Sequence, residues 1–452
     1  MVPATAQPPW LYVFGSFRLD PTRGLLHFGS EIVPLPGRLL QILLTLIAAN
    51  GNVVNKDELA LALWPDGDST DGNLSQHMYM LRRLLGERAR DRSYVMTVHG
   101  QGYRFAAPVS VISSIESTPV VERTGNPREN LLRSGMDACR HFNNGSYQLE
   151  KRHASALRIA IGEFEAALEI DPDYTPALIG LAKAYAFLAE FWYAPPSYTF
   201  PKAKFAIMRA LKLDPSSAAA HAVLSNLTLY CDWDWIGARR ESDTAMRLNP
   251  NSISTRANAA WFHALAGDSE EALEHVQSAL LLDPSSPALQ ILLGRILLHT
   301  GDCDRAIPYF ANLIESGPEF AVARRHRAQA LILNGRPAEA LVDLLLLPSD
   351  PAEEIAMRMP LLGRAYAECG DFARAEEMYA SLREMSRREY VVCWNLATIA
   401  VGLGRYDEAL DFLEKALADR EPTMPLLRSL PWFEAISSQL RFKSLLRAIS
   451  KG

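Results

Sequence analysis

The chain has 452 residues, of which 48% are hydrophobic and 22% are charged, and both values are ordinary for a folded globular protein. Its 26 glycines, 28 prolines and 5 cysteines exclude collagen-like proteins, disordered proteins and disulfide scaffolds. The formal net charge is −6, while residues 10–108 carry a net +1, so any basic surface that binds nucleic acid has to be local.

The first nine residues carry no recognisable targeting signal. They lack the basic start and the apolar stretch of a secretory signal peptide. No apolar run along the chain approaches the roughly 18 residues of a membrane span. The five cysteines are scattered without a CxxC pair, which agrees with a reducing compartment. We therefore expect residues 1–9 to be disordered and the protein to be cytoplasmic, without a membrane partner.

Residues 10–35 alternate short β-like runs with turns. The runs are LYVF, SFRLD, LLHF and EIVPL, and this pattern predicts a small antiparallel sheet. The following stretch, PGRLLQILLTLIAANG, has an apolar stripe at helical spacing, which predicts a helix packed on a core. Asn55 and Glu58 then have the spacing of a capping box, so a second helix is predicted to begin there.

A third helix and a hairpin complete this first region. The run NLSQHMYMLRRLLGE places four apolar side chains at spacings of four, three and four residues, which gives one apolar helix face: Leu74, Met78, Leu81 and Leu85. The segment SYVMTVHGQGYRF alternates and contains two glycines, so it predicts a hairpin. The predicted order over residues 10–107 is therefore a sheet, three helices and a hairpin.

This order of elements resembles the winged-helix output domain of OmpR/PhoB-type bacterial regulators. The resemblance covers about residues 10–107 and rests on three motifs: the Trp64–Pro65 turn, the NLSQHMYMLRRLLG helix and VHGQGYRF at the wing. It implies an α+β winged helix-turn-helix domain that binds double-stranded DNA, with the third helix in the major groove.

The DNA-facing residues are predicted from a helical wheel and from the resemblance together. Side chains that read base edges or bind phosphates lie opposite the apolar face of the third helix: Gln76, Tyr79 and Arg83, flanked by Asn73, Ser75, Met80 and Arg82. The resemblance implies the same face and adds His77. At the wing, it implies that His99 and Gln101 approach the minor groove and that Arg104 contacts a phosphate.

The rest of the chain has a different pattern, which begins after a linker predicted over residues 108–127. That segment is rich in serine, valine and proline and has no usable apolar period. One alanine then recurs at intervals of 43, 35, 34, 34, 34, 35 and 34 residues: Ala160, Ala203, Ala238, Ala272, Ala306, Ala340, Ala375 and Ala409. Mostly small or apolar residues four and seven positions later share the same helical face. Proline follows the first five alanines after twelve residues and is predicted to end the helix.

A 34-residue period of this kind resembles the tetratricopeptide repeat. The resemblance implies an all-α solenoid of about eight units over residues 128–422, closed by a capping helix over 423–452. The first unit is predicted to contain a longer loop around residues 143–152. The second is predicted to contain a nine-residue insertion at 193–201 between its two helices.

The concave groove of such a solenoid is a candidate partner site. In this register, six residues face the groove: Asn226, Asn258, Trp261, Arg295, Arg325 and Arg364. Arginine binds carboxylates through two parallel hydrogen bonds, so the set is suited to an acidic or extended peptide. RNA polymerase and a second copy of the chain are both candidate partners, and the repeats could equally sense a signal.

Motifs for catalysis are absent from the sequence, including HExxH, GxxxxGK[ST], GxGxxG and GxSxG. We therefore expect no catalytic residue, no cofactor and no metal site. The two regions together predict a multidomain one-component bacterial transcription regulator. One alternative is a tetratricopeptide scaffold or co-chaperone whose winged helix binds protein. Another is an antibiotic-pathway type of regulator, against which the regular 34-residue period argues.

Overall fold

The structure is a computed structural model, and it describes residues 10–113 and 127–450 with short gaps. The gaps are residues 22, 29–30, 34, 36, 64–70, 87–93, 99–100, 318–320 and 348–351. The chain divides into two compact units. The first contains residues 1–146, 162–180 and 213–216, and the second contains 147–161, 181–212 and 217–452. Residues 1–9, for which the sequence predicts disorder, lie outside the described residues.

The first unit begins with a five-stranded antiparallel sheet in the order β4-β3-β2-β1-β7. The strands are β1 (Trp10–Phe14), β2 (Phe17–Asp20), β3 (Leu25–Phe28), β4 (Glu31–Val33) and β7 (Ser110–Ser113). The first four are the four predicted runs. Strand β7 lies where an irregular linker was predicted. It forms because β1 offers unpaired backbone groups along one edge, and residues 110–113 pair with them.

Three helices and a hairpin follow in the predicted order. They are α1 (Gly37–Ala48), α2 (Lys56–Leu63), α3 (Asp71–Leu84), β5 (Val95–Val98) and β6 (Gly102–Phe105). The capping box is confirmed, since the Glu58 N–H donates to Asn55 Oδ1 at 2.7 Å and the Asn55 N–H donates to Glu58 Oε2 at 3.2 Å. The four predicted apolar positions of α3 and its C-terminal end are buried in one core with the sheet and the hairpin.

Eight helical hairpins make up the repeats within the described residues. Their helices are α4 (Pro127–Lys151), α5 (Ala154–Ile170), α6 (Thr175–Glu190), α7 (Pro196–Leu213), α8 (Ala218–Leu227), α9 (Trp235–Leu248), α10 (Ile253–Ala266), α11 (Ser269–Leu282), α12 (Pro287–His299), α13 (Cys303–Ser316), α14 (Ala321–Leu333), α15 (Pro337–Leu345), α16 (Ala352–Glu368), α17 (Phe372–Met385), α18 (Cys393–Gly402) and α19 (Tyr406–Ala418). All eight periodic alanines are fully buried at 0% exposure. The small side chain therefore lies where each pair of helices approaches most closely.

Two predicted loops are helical instead. Helix α4 continues through residues 143–151, because Gly145 lies against the Phe164 ring, where a Cβ atom would come to 2.7 Å. The glycine thus permits close helix packing rather than a turn. In the second unit, α7 begins at Pro196 and takes up most of the insertion, since proline is tolerated in the first turn of a helix.

The C-terminal tail is more irregular than the predicted capping helix. It forms two 3₁₀ turns, Met424–Arg428 and Pro431–Ile436, and then α20 (Leu440–Ile449). Within the second unit the tail reaches earlier repeats, because the Trp235 indole N–H donates to the Ile449 carbonyl at 2.7 Å. Within the described residues, no helix has both the length and the hydrophobicity to cross a bilayer.

Candidate nucleic-acid interface and repeat groove

Helix α3 is fixed in the domain by its buried apolar face, so its opposite face is turned away from the core. The backbone of Asn73, Ser75 and Gln76 lies in this helix, but their side chains fall outside the described part of the structure. The His77 side chain is half-buried. DNA contacts by these four residues stay predictions.

The two arginines at the end of α3 have different surroundings. Arg82 donates from Nε to the Val95 carbonyl at 3.2 Å and from Nη2 to Thr97 Oγ1 at 2.7 Å. Arg82 thereby ties α3 to strand β5 of the hairpin. The Nε atom of Arg83 is buried and has no hydrogen-bond partner among the described residues. Of the two, only Arg82 is hydrogen-bonded to the hairpin among the described residues.

Two of the three predicted wing residues, Gln101 and Arg104, lie among the described residues. Gln101 is exposed, and Arg104 is half-buried with Nη2 at 3.5 Å from Met96 Sδ. His99 lies outside the described residues. Tyr103 belongs to the core, where it is 6% exposed and its backbone pairs with Val54.

Tyr79 and Met80 do not present open side chains on the outer face of α3. Met80 packs in part against the core of the domain, because it lies near the edge of the buried stripe. The Tyr79 hydroxyl donates a hydrogen bond to the Asp171 carboxylate, and the Tyr79 ring lies over Tyr174 with 4.4 Å between centroids. Burial, followed by this hydrogen bond, raises the pKa of Tyr79 above its usual value.

All six predicted groove residues lie in the first helices of successive repeats: α8, α10, α12, α14 and α16. Asn258 and Trp261 are buried, and Asn226, Arg295 and Arg325 are half-buried. The Arg295 guanidinium lies 4.0 Å from the Trp261 ring centroid. The Trp261 indole N–H donates to the Tyr230 hydroxyl at 2.7 Å, which fixes the ring.

Arg364, the sixth predicted groove residue, is bound by the chain itself. Its Nε donates to Glu368 at 2.6 Å, and its Nη1 donates to the carbonyls of Thr398 at 3.4 Å and Trp432 at 3.3 Å. The C-terminal tail therefore covers this position. A partner that contacted Arg364 would have to displace these interactions.

The sequence did not identify two charged residues that act on Arg295, Glu190 and Arg152. Burial raises the pKa of Glu190 to about 7, and the charges of Arg295 and Arg152 lower it. A signal was present, because Glu190 ends a helix that is otherwise almost entirely apolar. Arg152 follows α4 with a positive φ of 57°, in the segment that was predicted as a loop.

No group of three or more potential ligand side chains within the described ranges could hold a metal ion. The five cysteines are free, and Cys139, Cys231 and Cys393 are buried. Buried free cysteines of this kind behave as small apolar side chains.

Family matches distinguish the N-terminal region from the helical repeats. Residues 29–105 match the family "Transcriptional regulatory protein, C terminal". Residues 263–311 and 292–354 match one tetratricopeptide repeat family, and residues 361–430 match another. The N-terminal region is therefore an OmpR/PhoB-type domain, and tetratricopeptide repeats follow it.

Relatives among characterised proteins match the N-terminal region. The transcriptional regulator HilA of Salmonella typhimurium is 36% identical over 102 residues, which are 23% of this chain and 18% of HilA. The transcriptional regulatory protein PhoP of Escherichia coli K12 is 34% identical over 90 residues, which are 20% of this chain and 40% of PhoP. The chain thus spans less than half the length of either relative.

Solved structures also match part of the chain. A human IFIT1 dimer with m7Gppp-AAAA has a TM-score of 0.44 at 20% identity, and the match covers 59% of this chain and 68% of IFIT1. A tetratricopeptide repeat protein from Parabacteroides merdae has a TM-score of 0.40 at 14% identity, covering 61% of this chain and 99% of that protein.

Proposed function

Because this chain carries an OmpR/PhoB-type domain followed by tetratricopeptide repeats, we propose that it is a sequence-specific DNA-binding regulator of transcription. The observation that carries the proposal is the winged-helix domain, in which α3 is packed on the core by one face. A helix presented in this way fits the major groove of DNA. The names of HilA and PhoP as transcriptional regulators support the same function.

In this proposal the residues of α3 have different roles. Arg83 contacts a phosphate, and Asn73, Ser75, Gln76 and His77 face base edges or the backbone of the duplex. Arg82 acts as a positioning residue, because its hydrogen bonds to β5 hold the hairpin against α3. Gln101 and Arg104, with His99, contact the duplex at the wing.

The repeats are proposed to bind a partner, to oligomerise the protein or to sense a signal in the cytoplasm. The position of Asn226, Asn258, Trp261, Arg295 and Arg325 on the first helices of successive repeats supports a binding role for the predicted groove. RNA polymerase and a second copy of the chain remain candidate partners. No catalytic role, cofactor or metal forms part of the proposal.

We expect the full chain to enrich one motif from random duplex DNA at near-physiological salt. Charge reversal in Arg83→Glu should weaken binding by about tenfold or more, and it should lower the slope of log affinity against log salt by about one, because one phosphate contact is lost. The matched control is Arg23→Glu, which makes the same charge change in the same domain at a side chain that is 78% exposed in a turn.

The proposal is supported if the wild type and Arg23→Glu enrich a motif and Arg83→Glu does not. That result would indicate sequence-specific DNA binding through α3. If no motif is enriched and binding disappears with modest salt, the winged helix binds protein instead. The scaffold or co-chaperone function would then be favoured. Equal weakening in both variants would indicate a general charge effect and would contradict the proposed role of Arg83.

A further inference from the structure

The second unit holds charged groups that no described residue neutralises by a hydrogen bond: Arg295, Glu190 and Arg152. The Arg295 guanidinium contacts the Trp261 ring, and no described residue accepts a hydrogen bond from it. Likewise, no described residue donates a hydrogen bond to the Glu190 carboxylate. The Nε atom of Arg152 is also buried without a partner among the described residues. Buried charges are costly unless they are paired and hydrogen-bonded.

These groups lie close enough to act on one another electrostatically. Burial is the largest cause that lowers the pKa of Arg295, and the positive charges of Arg152 and Arg325 lower it further. Glu190 is the acidic side chain that opposes them. Arginine stays charged in proteins, so the positive charges that act on Arg295, from Arg152 and Arg325, outnumber the one acidic side chain that does so, Glu190.

Neighbouring side chains hold the cluster in place and add polar groups. Trp261 is fixed by its hydrogen bond to Tyr230, and the His299 ring lies 4.9 Å from the Trp261 ring. Burial lowers the pKa of His299 to about 3, so this histidine adds no charge at neutral pH. Asn258 is only 9% exposed, and its Nδ2 atom has no hydrogen-bond partner among the described residues. The cluster thus contains an amide donor beside the helix of Arg295.

We propose that this cluster binds a small anion that carries a carboxylate or phosphate group. The guanidiniums of Arg295 and Arg152 would bind the anionic group, and Asn258 Nδ2 would supply a further donor. Glu190 would accept a hydrogen bond from a hydroxyl or amine on the same molecule. A site of perturbed, buried charges in a groove is typical of ligand-binding function. The proposal does not depend on DNA binding.

The test is thermal unfolding of the full chain with ~10 mM sodium phosphate or sodium citrate, against sodium chloride at equal ionic strength. We expect at least one of the two anions to raise the Tm of the wild type by several degrees. Arg295→Met should abolish the response, since it keeps the side-chain stem but removes the charge. The control Arg305→Gln changes an exposed arginine paired with Asp302 and should keep the response.

A second readout needs no anion. Because Arg295→Met removes a half-buried charge from which no described residue accepts a hydrogen bond, its Tm in chloride should equal or exceed that of the wild type. A response to phosphate alone or to citrate alone identifies the anionic group. The proposal is overturned if neither anion shifts the wild type, if Arg295→Met responds equally, or if Arg295→Met lowers the Tm in chloride.

A different observation supports a second inference, which concerns α3 within the first unit. The surface that Tyr79 contacts belongs to the core of the first repeat. Tyr174 is fully buried, its ring meets Phe142 edge-on at 5.6 Å, and its hydroxyl lies 3.5 Å from Cys139 Sγ. Asp171 and Tyr174 lie in the turn between α5 and α6, and the buried Tyr174 ring anchors this turn against α4.

This contact and DNA binding exclude each other. The major groove admits a helix only when the outer face of that helix is free. In the structure, Asp171 and Tyr174 cover the Tyr79 position on that face. The Asp171 carboxylate would also repel the phosphates of a duplex.

We infer that the first repeat holds α3 in an autoinhibited state, and that Tyr79 has to leave Asp171 and Tyr174 before the domain binds DNA. This inference rests on the proposed DNA-binding function. Asp171→Asn removes the charge from the acceptor of the Tyr79 hydrogen bond and so weakens the closed state. A population shift toward the open state raises the apparent affinity for DNA.

The test compares the wild type, Asp171→Asn and the control Asp173→Asn as full chains. Asp173 lies in the same turn as Asp171, and Asp173→Asn removes the same charge. The Tyr79 hydroxyl donates to Asp171 and not to Asp173. We expect Asp171→Asn to bind a random-sequence duplex at low salt about three- to tenfold more tightly and to speed amide hydrogen exchange in α3. Asp173→Asn should match the wild type in both measurements.

The outcomes separate this inference from the proposed function. Equal DNA affinity and equal α3 exchange in the wild type and Asp171→Asn would overturn the autoinhibited state. Faster exchange in Asp171→Asn with no DNA binding by any chain would support the contact and contradict DNA binding. An equal gain in Asp173→Asn would indicate a general charge effect and would also overturn the inference.

Discussion

Replacing Gly102 by alanine is expected to disrupt the hairpin of the winged-helix domain and abolish its DNA binding. Gly102 has φ +143°, and a Cβ atom there would lie 2.1 Å from the Val54 carbonyl oxygen. The neighbouring Tyr103 exchanges two backbone hydrogen bonds with Val54, at 2.8 and 2.9 Å. A side chain at this position would push β6 away from Val54. We therefore expect the free energy of unfolding of the domain to fall by about 3 kcal/mol or more.

Amide hydrogen exchange over residues 95–105 of the full chain would measure this change, together with DNA affinity. Gly51→Ala is a matched control, because Gly51 also has a positive φ, +82°, but has no atom within 4 Å of its Cβ position. The control should cost only about 1–2 kcal/mol, from backbone strain alone. Equal effects of the two substitutions would contradict the steric explanation.

Replacing Asp343 by asparagine is expected to destabilise the central repeats by about 3 kcal/mol, because it breaks a buried ion pair. Asp343 is fully buried and accepts hydrogen bonds from Nε and Nη2 of Arg327, with Arg324 Nη1 at 3.7 Å. Asparagine would leave both guanidiniums without a carboxylate. The figure is at the lower end of the range for buried pairs because the Arg327 side chain is still 25% exposed.

Denaturant unfolding of the full chain, followed by circular dichroism at the helix band, would measure this loss as a shifted midpoint. Glu339→Gln is the control. Glu339 has the same two-bond geometry with Arg336, both bonds at 2.7 Å, but the two side chains are 59% and 44% exposed. We expect almost no change there, since water screens the pair. A similar shift in both variants would show that burial does not determine the effect.

The sequence alone was sufficient for most of the winged-helix domain and for the repeat architecture. Strands β1–β4 and helices α1–α3 follow from local alternation, apolar stripes and the Asn55–Glu58 cap, all of which act within a few residues. The eight buried alanines follow from their 34-residue spacing, because each repeat buries the same helix face against its neighbour. The family matches at residues 29–105 and 263–430 agree with this division.

Other features depended on contacts that the local sequence does not encode. Strand β7 needs the free edge of β1, nearly a hundred residues earlier, and the helical path through Gly145 needs the Phe164 ring. The Tyr79–Asp171 contact joins residues 92 positions apart, so no wheel drawn for α3 could place that hydroxyl. The positive charge near Glu190 comes from Arg152 and Arg295, which lie more than a hundred residues apart in the sequence. Periodicity and capping act between residues that are close in the sequence, so the sequence determined the helices, the strands and the repeat length. Burial and charge pairing act through space, and only the tertiary structure decided which side chains of α3 and of the groove are open to a partner.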